Sequence, residues 1–463
     1  MIICDKIGAG STLYETPNAT NANNARNVNN DGTINNNNAY NGNNGVRPDL
    51  SIAVKARGSK ECSTNGNKSR KHSPLDRALL FDFSALTHDG YRFLSEFKTL
   101  YRSHKKTLSG KRWKSGTVRF EMDALAELLK LSRELKAGEY RPGPYNVFEI
   151  QDPKPRVIKS IAYRDKVVQR ALCDEVLEPV LDRKSIYDSY ACRKGKGTHR
   201  GLDRTEQFMR EMYRRHGTDF YILKCDVEKY FDSIDHEELK KEMRAIFPPG
   251  RLLDLIEMII DSTGSDKGLP LGNQSSQWLS IYHLNDLDHY AKRDLRAQRY
   301  IRYMDDFIIF HEDKNELRRM KKAVEEHLNS KGLALNEKSH IFPAKNGLDF
   351  LGFRLRVTDT GKVIRKVRQQ SVRKMKRKLK KFAELYKAGK RTRKQIEHSY
   401  YSWRAHAAHG HSYQLFQNMD ARFLKIFEGS EEYGKAVKEL TRRRNLNRAR
   451  RKVPQKPDRN CAP

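Results

Sequence analysis

The sequence predicts an α+β fold, and three observations carry that prediction. Short runs rich in β-branched and aromatic residues, at 220–225 and in the two halves of 302–310, read as buried strands. Elsewhere the apolar residues recur at helical spacing, most clearly in Asp123-Ala-Leu-Ala-Glu-Leu-Leu-Lys-Leu-Ser-Arg-Glu-Leu135. Turn signals such as Asp359-Thr-Gly361 place strands side by side as hairpins, which makes the sheets antiparallel.

The elements follow in chain order. Residues 18–44 are dominated by Asn and 51–73 form a basic Gly/Ser/Lys linker; both compositions are too polar to bury a core. Order is expected to begin near Pro74, with the amphipathic helix at 123–135 after it. A hairpin is expected at 147–161 and a helix at 163–183. The strand at 220–226 ends on an acidic residue and leads into a polar helix start, where Glu228, Asp232 and Asp235 face solvent or cap the helix. One helix is expected over 272–296 and another over 314–331. From Gln369 the chain reads as helical, with Val372, Met375, Leu379 and Phe382 on one apolar stripe and Lys and Arg between them.

The chemistry concentrates in Tyr303-Met304-Asp305-Asp306. Two adjacent carboxylates interrupt sequence that is apolar on both sides, which is costly unless a cation or solvent meets them. Asp-Asp also suits a hairpin turn for conformational reasons alone. A third carboxylate decides between the two readings: Phe220-Tyr-Ile-Leu-Lys-Cys-Asp226 ends where it can lie beside the hairpin tip. Asp226, Asp305 and Asp306 would then hold two Mg²⁺ ions, one activating a 3′-hydroxyl and one stabilising a leaving pyrophosphate. Phosphoryl transfer needs mostly positioning and charge neutralisation, so such a set is sufficient.

At this point the chain resembles a reverse transcriptase, over roughly residues 150–360 in motif order. The resemblance implies a right-hand polymerase fold: disordered leader and linker over 1–73, N-terminal helices and fingers over 74–218, palm over 219–358, basic helical thumb over 359–430 and basic tail over 431–463. It implies that Asp226, Asp305 and Asp306, with the backbone carbonyl of Val227, bind the metals. Phe231, five residues after Asp226, matches the residue that closes the pocket against a ribose 2′-hydroxyl. Lys154 and Arg156, in Lys154-Pro-Arg156-Val-Ile-Lys159, resemble the strand that grips the triphosphate, and Lys338 sits where the family has a further lysine. Phe350-Leu351-Gly352 resembles the hairpin that holds the primer end.

The segment Gly268-Leu-Pro-Leu271-Gly272-Asn-Gln-Ser-Ser276-Gln277 narrows the resemblance. Intron and retroviral enzymes have Gln-Gly-x-x-x-Ser-Pro there; here Leu271 replaces the Gln and Gln277 the Pro. This form resembles the reverse transcriptases of diversity-generating retroelements, which copy a template-repeat RNA and misincorporate opposite adenines. An apolar Leu271 beside the nucleotide discriminates by about 1–3 kcal/mol per group, less than a site built on hydrogen bonds. The Asn-rich stretch ending Gly45-Val-Arg-Pro48 looks like a translated repeat of such an element. The resemblance further implies dNTP substrates, cDNA and RNA/DNA duplex as ligands, and an oligomeric helical accessory protein. Two other readings remain open: a phage-defence, retron or group II intron-type reverse transcriptase, and a basic RNA-binding scaffold with an inactive polymerase fold.

Composition agrees with a polyanion partner. The 463 residues carry 91 Lys and Arg against 58 Asp and Glu, a formal net charge of +33. From residue 362 onward there are 30 Lys and Arg against 8 Asp and Glu, so the excess sits on the carboxy-terminal part. Such a face binds phosphates with counterion release, and residues 441–452 are expected to stay disordered until they meet RNA. No apolar run approaches the roughly 20 residues of a spanning helix, and the first residues do not resemble a secretory signal. The six cysteines are dispersed without a Cys-x-x-Cys pair, which fits a reducing cytoplasm of a bacterial or phage-infected host cell. His406, His409 and His411 are expected to pack or to meet phosphate in the thumb, since no acid or Cys completes a metal site.

Overall fold

The computed structural model describes residues 89–151 and 155–452. The chain enters through α1 (Gly90–Ser95), α2 (Phe97–Leu108), α3 (Ser115–Met122) and α4 (Ala124–Ala137). α4 is the helix expected at 123–135; it buries Leu128, Leu131 and Leu135 and ends at Gly138, whose φ of 79° closes the last turn. The hairpin β1 (Asn146–Gln151) and β2 (Pro155–Ser160) follows, antiparallel with Asn146 opposite Ser160. α5 (Tyr163–Leu172) passes through a π turn at Cys173–Leu177 into α6 (Glu178–Lys184). The helix expected over 163–183 is thus continuous but carries one wide turn, immediately before Pro179, which has no N–H to donate. α7 (Thr198–His216) then leads to the central strand.

That strand is β3 (Tyr221–Asp226), followed by α8 (Tyr230–Ser233), α9 (His236–Arg244) and α10 (Arg251–Asp261). Asp235 caps α9 by accepting from the N–H groups of Glu237 and Glu238, as its position suggested. Next come α11 (Gln274–His283), α12 (Asn285–Arg293), β4 (Tyr300–Tyr303), β5 (Asp306–His311), α13 (Lys314–Asn329) and β6 (His340–Pro343). The single helix expected over 272–296 is two helices, broken at Leu284. Asn285 explains the break: its side chain donates to the Lys184 carbonyl at 3.2 Å, a tertiary bond that local helical spacing does not reveal.

The four strands pair in the order β4-β5-β3-β6, all antiparallel. Alternate residues of β3 and β5 enter different cores: Leu223, Cys225, Phe307 and Ile309 pack towards α9–α13, while Ile222, Ile308 and Phe310 pack on the opposite side. Burial on both faces is why these strands read as largely apolar runs.

The second core joins this sheet to another. β7 (Leu348–Phe350), β8 (Phe353–Val357) and β9 (Val363–Val367) form a three-stranded antiparallel sheet whose Phe350, Phe353 and Leu355 pack with Ile222 and Phe310. The expected hairpin turn lies between β8 and β9, with Gly361 at φ 77°. α14 (Gln369–Lys387), α15 (Arg393–Ala407), α16 (Tyr413–Leu424) and α17 (Glu432–Lys452) complete the chain. Val372, Met375, Leu379 and Phe382 are all buried on α14, as their spacing predicts.

α17 corrects one expectation. Residues 441–452 were expected to be disordered, and they continue a helix that begins at Glu432. Ala436 and Leu440 are buried against α14–α16, the Arg443 guanidinium lies 4.2 Å from the Tyr401 ring centre, and Arg444 pairs with buried Asp420 at 2.8 Å. Charge density alone conceals such contacts, because arginine stems pack while their heads find acids and aromatic faces. Residues 1–73, with the Asn-rich stretch, lie outside the described residues.

Candidate active site

The catalytic candidates sit on one hairpin and the strand beside it. Tyr303 pairs with Asp306 across β4 and β5, so Met304 and Asp305 form a two-residue tip. Met304 has φ 57°, a left-handed conformation that costs a non-glycine residue about 1–2 kcal/mol. A buried arginine holds it there. Arg302, fully buried, donates from Nη1 to the Met304 carbonyl at 2.9 Å and from Nη2 to the Ile281 carbonyl at 2.9 Å. Its charge is met by equally buried Asp288, through Nε at 2.7 Å, and the Tyr300 hydroxyl donates to the same carboxylate at 2.6 Å.

Asp226, at the end of β3, is directly opposite Asp306 in the β3–β5 register. Its backbone is pinned on both sides: the Asn336 N–H donates to its carbonyl at 2.7 Å, and its own N–H donates to Ser339 Oγ at 3.2 Å. The next residue, Val227, donates its N–H to the Asp305 carbonyl at 3.3 Å, which locks strand end to hairpin tip. The three carboxyl groups therefore share one small region.

Their acidities register that setting. All three are shifted above the usual carboxylate range, in each case chiefly by burial. The charge of Asp305 adds to the shift at Asp226. Asp306 is pushed up to about 7; burial dominates, Lys224 opposes it, and Asp226 and Asp305 reinforce it. Asp226 and Asp305 keep partial exposure, whereas Asp306 is buried. One Asp306 oxygen lies 3.2 Å from Lys224 Nζ; the other is buried without a hydrogen-bond partner. An all-oxygen set of crowded carboxylates with an unsatisfied oxygen fits a hard divalent cation such as Mg²⁺. Among the described residues no three acidic, histidine or cysteine side chains are grouped so as to hold a metal ion by themselves.

The flanking residues converge on this centre to different degrees. Arg156, on β2, is close enough that its charge lowers the Asp305 pKa, and Lys338 acts likewise on Asp226. Lys154 lies outside the described residues. Phe231 is partly exposed on α8, and its carbonyl accepts from the Leu269 N–H at 2.8 Å, which ties the 268–272 loop to it. Gly272, at φ 118°, brings that loop against β2: a Cβ there would meet Ile158 Cγ2 and the Lys159 carbonyl, each at 3.6 Å. Leu271 lies in this loop, between Leu269 and Gly272, and is partly exposed. Gln277 lies on α11 with its amide oxygen 3.5 Å from Cys192 Sγ.

Phe350, Leu351 and Gly352 lie at the β7–β8 turn, on a different sheet from the carboxylates. Leu351 and Gly352 have φ 47° and 84°, the signature of a tight two-residue hairpin, and Phe350 and Phe353 anchor it as buried rings. His406 stands against this turn, within 3.3 Å of where a Gly352 Cβ would lie, and its ring centre is 4.8 Å from that of Phe353. His409 stacks on His199 at 3.4 Å, and His411 Nδ1 accepts from the Arg365 N–H at 3.0 Å. The histidines thus pack the α15–α16 connection onto α7 and the β7–β9 sheet.

Sequence reasoning missed Lys224, Arg302 and Asp288. Lys224 did leave a signal, as the one charged residue inside the apolar run 220–225. Arg302 left a weaker one, next to the tetrad. Asp288 left none, because its partner is distant in sequence.

An acidic hairpin tip beside an acid-terminated strand, with basic residues approaching from a separate hairpin, defines the palm of a nucleic-acid polymerase. Residues 150–355 match the family model described as reverse transcriptase (RNA-dependent DNA polymerase), so the chain carries a reverse transcriptase domain. Protein YkfC of Escherichia coli is 28% identical over 174 residues, 35% of this chain and 45% of that protein. The COX1/OXI3 intron 1 protein of Saccharomyces cerevisiae is 22% identical over 296 residues, 50% of this chain and 34% of that protein. The chain therefore spans less than half the length of either curated relative. Among solved structures, telomerase from Candida albicans with a fragment of telomeric RNA superposes with a TM-score of 0.41 at 14% identity, covering 69% of this chain and 71% of that one. Apo telomerase from Candida tropicalis gives 0.39 at 16% identity, covering 52% and 60%. Among the described residues no helix is long and apolar enough to cross a membrane.

Proposed function

We propose that this chain is an RNA-directed DNA polymerase of the diversity-generating kind, which copies a template-repeat RNA into cDNA and misincorporates opposite adenine. The observation that carries the narrower reading is Leu271: a partly exposed apolar residue, next to the Gly272 that abuts β2, occupies the position where the intron and retroviral enzymes it resembles carry a glutamine amide. A pocket wall without a hydrogen-bonding group discriminates base-pair geometry weakly.

The remaining roles are part of the same proposal. Two Mg²⁺ ions, when bound, supply activation of the 3′-hydroxyl and neutralise the leaving pyrophosphate. Asp226 and Asp305, with the Val227 carbonyl and Asp306 behind them, hold that charge. Arg156 and Lys338 receive the triphosphate, with Lys154 on the same segment as Arg156. Phe231 presents an aromatic edge to the sugar and selects deoxynucleotides, and Phe350, Leu351 and Gly352 support the primer end. The basic face of α14 tracks the duplex backbone and offers, with α17, a docking surface for an oligomeric helical accessory protein.

A second reading is an intron-type reverse transcriptase. It is favoured by the likeness to the yeast intron protein. One experiment separates the two: the purified chain extends a primer on a defined RNA, and the cDNA is sequenced. The first reading expects errors concentrated opposite adenine and lowered about tenfold by Leu271→Gln. Errors spread evenly over the four template bases, or unchanged by Leu271→Gln, would overturn it in favour of the second. Asp305→Asn should abolish synthesis while RNA binding survives; retained synthesis would sink the carboxylate assignment itself.

A further inference from the structure

The four-stranded sheet that carries the carboxylates and the three-stranded sheet that carries Phe350, Leu351 and Gly352 share no backbone pairing among the described strands. Between them lies an apolar core, with Ile222 and Ile308 on one side and Leu348 and Phe350 on the other. Apolar contact is non-directional and does not by itself fix how far one sheet stands from the other along their common face. One polar link crosses this boundary at the site. Lys224, two residues before Asp226, places Nζ 3.2 Å from Asp306 Oδ2 and donates from the same nitrogen to the Asp349 carbonyl at 3.0 Å. Asp349 immediately precedes Phe350 on β7.

We propose that Lys224 is a positioning residue that sets the primer end in register with the catalytic hairpin. The proposal rests on the polymerase reading of the site, and on no particular subtype. An ammonium has three donors in a compact head, so it can serve a carboxylate and a carbonyl together with directional bonds. Its side chain is 21% exposed and that of Asp306 only 2%, so solvent does not easily replace either contact. The Asp349 carboxylate is drawn at the same time towards Arg354, at 3.5 Å, and Arg368, at 3.8 Å, which fixes the strand on its other side. Lys224 therefore does two things with one charge: it neutralises the buried Asp306 carboxylate and it fastens the strand before the primer-end turn to that carboxylate.

Misplacing a reacting end by about 1 Å costs on the order of 100-fold in rate, while the nucleotide pocket, built from other elements, is left intact. The test compares the wild-type chain with Lys224→Met, Lys224→Gln and Lys224→Arg in single-nucleotide extension of a primed RNA. Wild-type extension establishes the polymerase reading independently of the variants. The expected result is a kcat about 10–100-fold lower for Lys224→Met and Lys224→Gln, with the dNTP KM within about twofold, and recovery of most of the rate in Lys224→Arg. A second readout needs no turnover. With 2-aminopurine at the primer 3′ end and no divalent cation, Lys224→Met should give brighter fluorescence than wild type, reporting a loosened terminus. Unchanged kcat overturns the proposal. So does lowered kcat with wild-type fluorescence, which would confine Lys224 to its effect on Asp306. If Lys224→Met fails to fold, Lys224→Gln, which keeps a donor, is read by the same two criteria.

Discussion

Arg302→Met removes a guanidinium that is fully buried together with its partner Asp288. Three consequences follow at once: an uncompensated carboxylate remains in the core, the Ile281 and Met304 carbonyls lose their donors, and Met304 keeps its left-handed φ without support. Breaking a buried ion pair by removing one partner costs about 3–5 kcal/mol, and each orphaned carbonyl adds to that figure. At about 2–4 °C per kcal/mol for a domain of this size, the melting temperature should fall by roughly 10 °C. The double variant Arg302→Met/Asp288→Asn separates charge from geometry. The amide keeps an acceptor for the Tyr300 hydroxyl while removing the buried charge, so about half of the lost stability should return. Primer extension should not return, because nothing replaces the bond to the Met304 carbonyl that shapes the carboxylate tip. Thermal melts and single-turnover extension on the same samples decide the matter. A single variant that melts within a degree or two of wild type would refute the electrostatic argument. A double variant that recovered activity in step with stability would show that the tip does not depend on this hydrogen bond.

The further predictions concern pH and the carboxy-terminal helix. Asp306 is raised from 3.8 to about 7, so between those values the native state binds more protons than the unfolded chain, and its contribution to stability is lost as pH rises through the window. In chelator-treated protein, the melting-temperature difference between Asp306→Asn and wild type should therefore grow from pH 4 to pH 7, with Asp306→Asn the more stable; a constant difference would contradict the shift. Leu440→Ala removes a side chain that is 2% exposed against α14–α16 and should destabilise by about 2–4 kcal/mol, measured by denaturant titration. Unchanged stability in that variant would return residues 432–452 to the status of an undocked tail.

What the sequence made legible was local. The strand at 220–226, the hairpin at 302–310 and the stripe on α14 each declare themselves through spacing, because burial on one or both faces forces a pattern of period 2 or 3.6. The three aspartates declare themselves because carboxylates are out of place next to such strands. What stayed hidden was non-local. The helix break at Leu284 depends on Asn285 reaching the Lys184 carbonyl, and α17 holds because Arg444 finds Asp420 and Arg443 finds Tyr401. The Arg302–Asp288 pair joins residues on a strand and a preceding helix. In each case the energy comes from a partner whose position only the folded chain defines.

Charge explains how these hidden contacts serve the visible ones. Folding brings Asp226, Asp305 and Asp306 together and withdraws them from water, and their pKa values rise chiefly through that burial, with repulsion from neighbouring carboxylates adding to it at Asp226 and Asp306. The chain counters it from the protein side with two cations of different character. Arg302, planar and fully buried, grips the backbone of the tip from beneath through the Met304 carbonyl, while its charge is spent on Asp288. Lys224, compact and near the edge, meets a carboxylate directly and hands its second bond to the next sheet. Asp226 and Asp305 keep their partial exposure and feel positive charge from several sides, Lys224 and Lys338 at Asp226 and Arg156 and Arg302 at Asp305. Arg302 and Lys224 therefore fix the shape of the tip from the inner side, and the two partly exposed carboxylates are left on the side where the proposed nucleotide and metal would arrive.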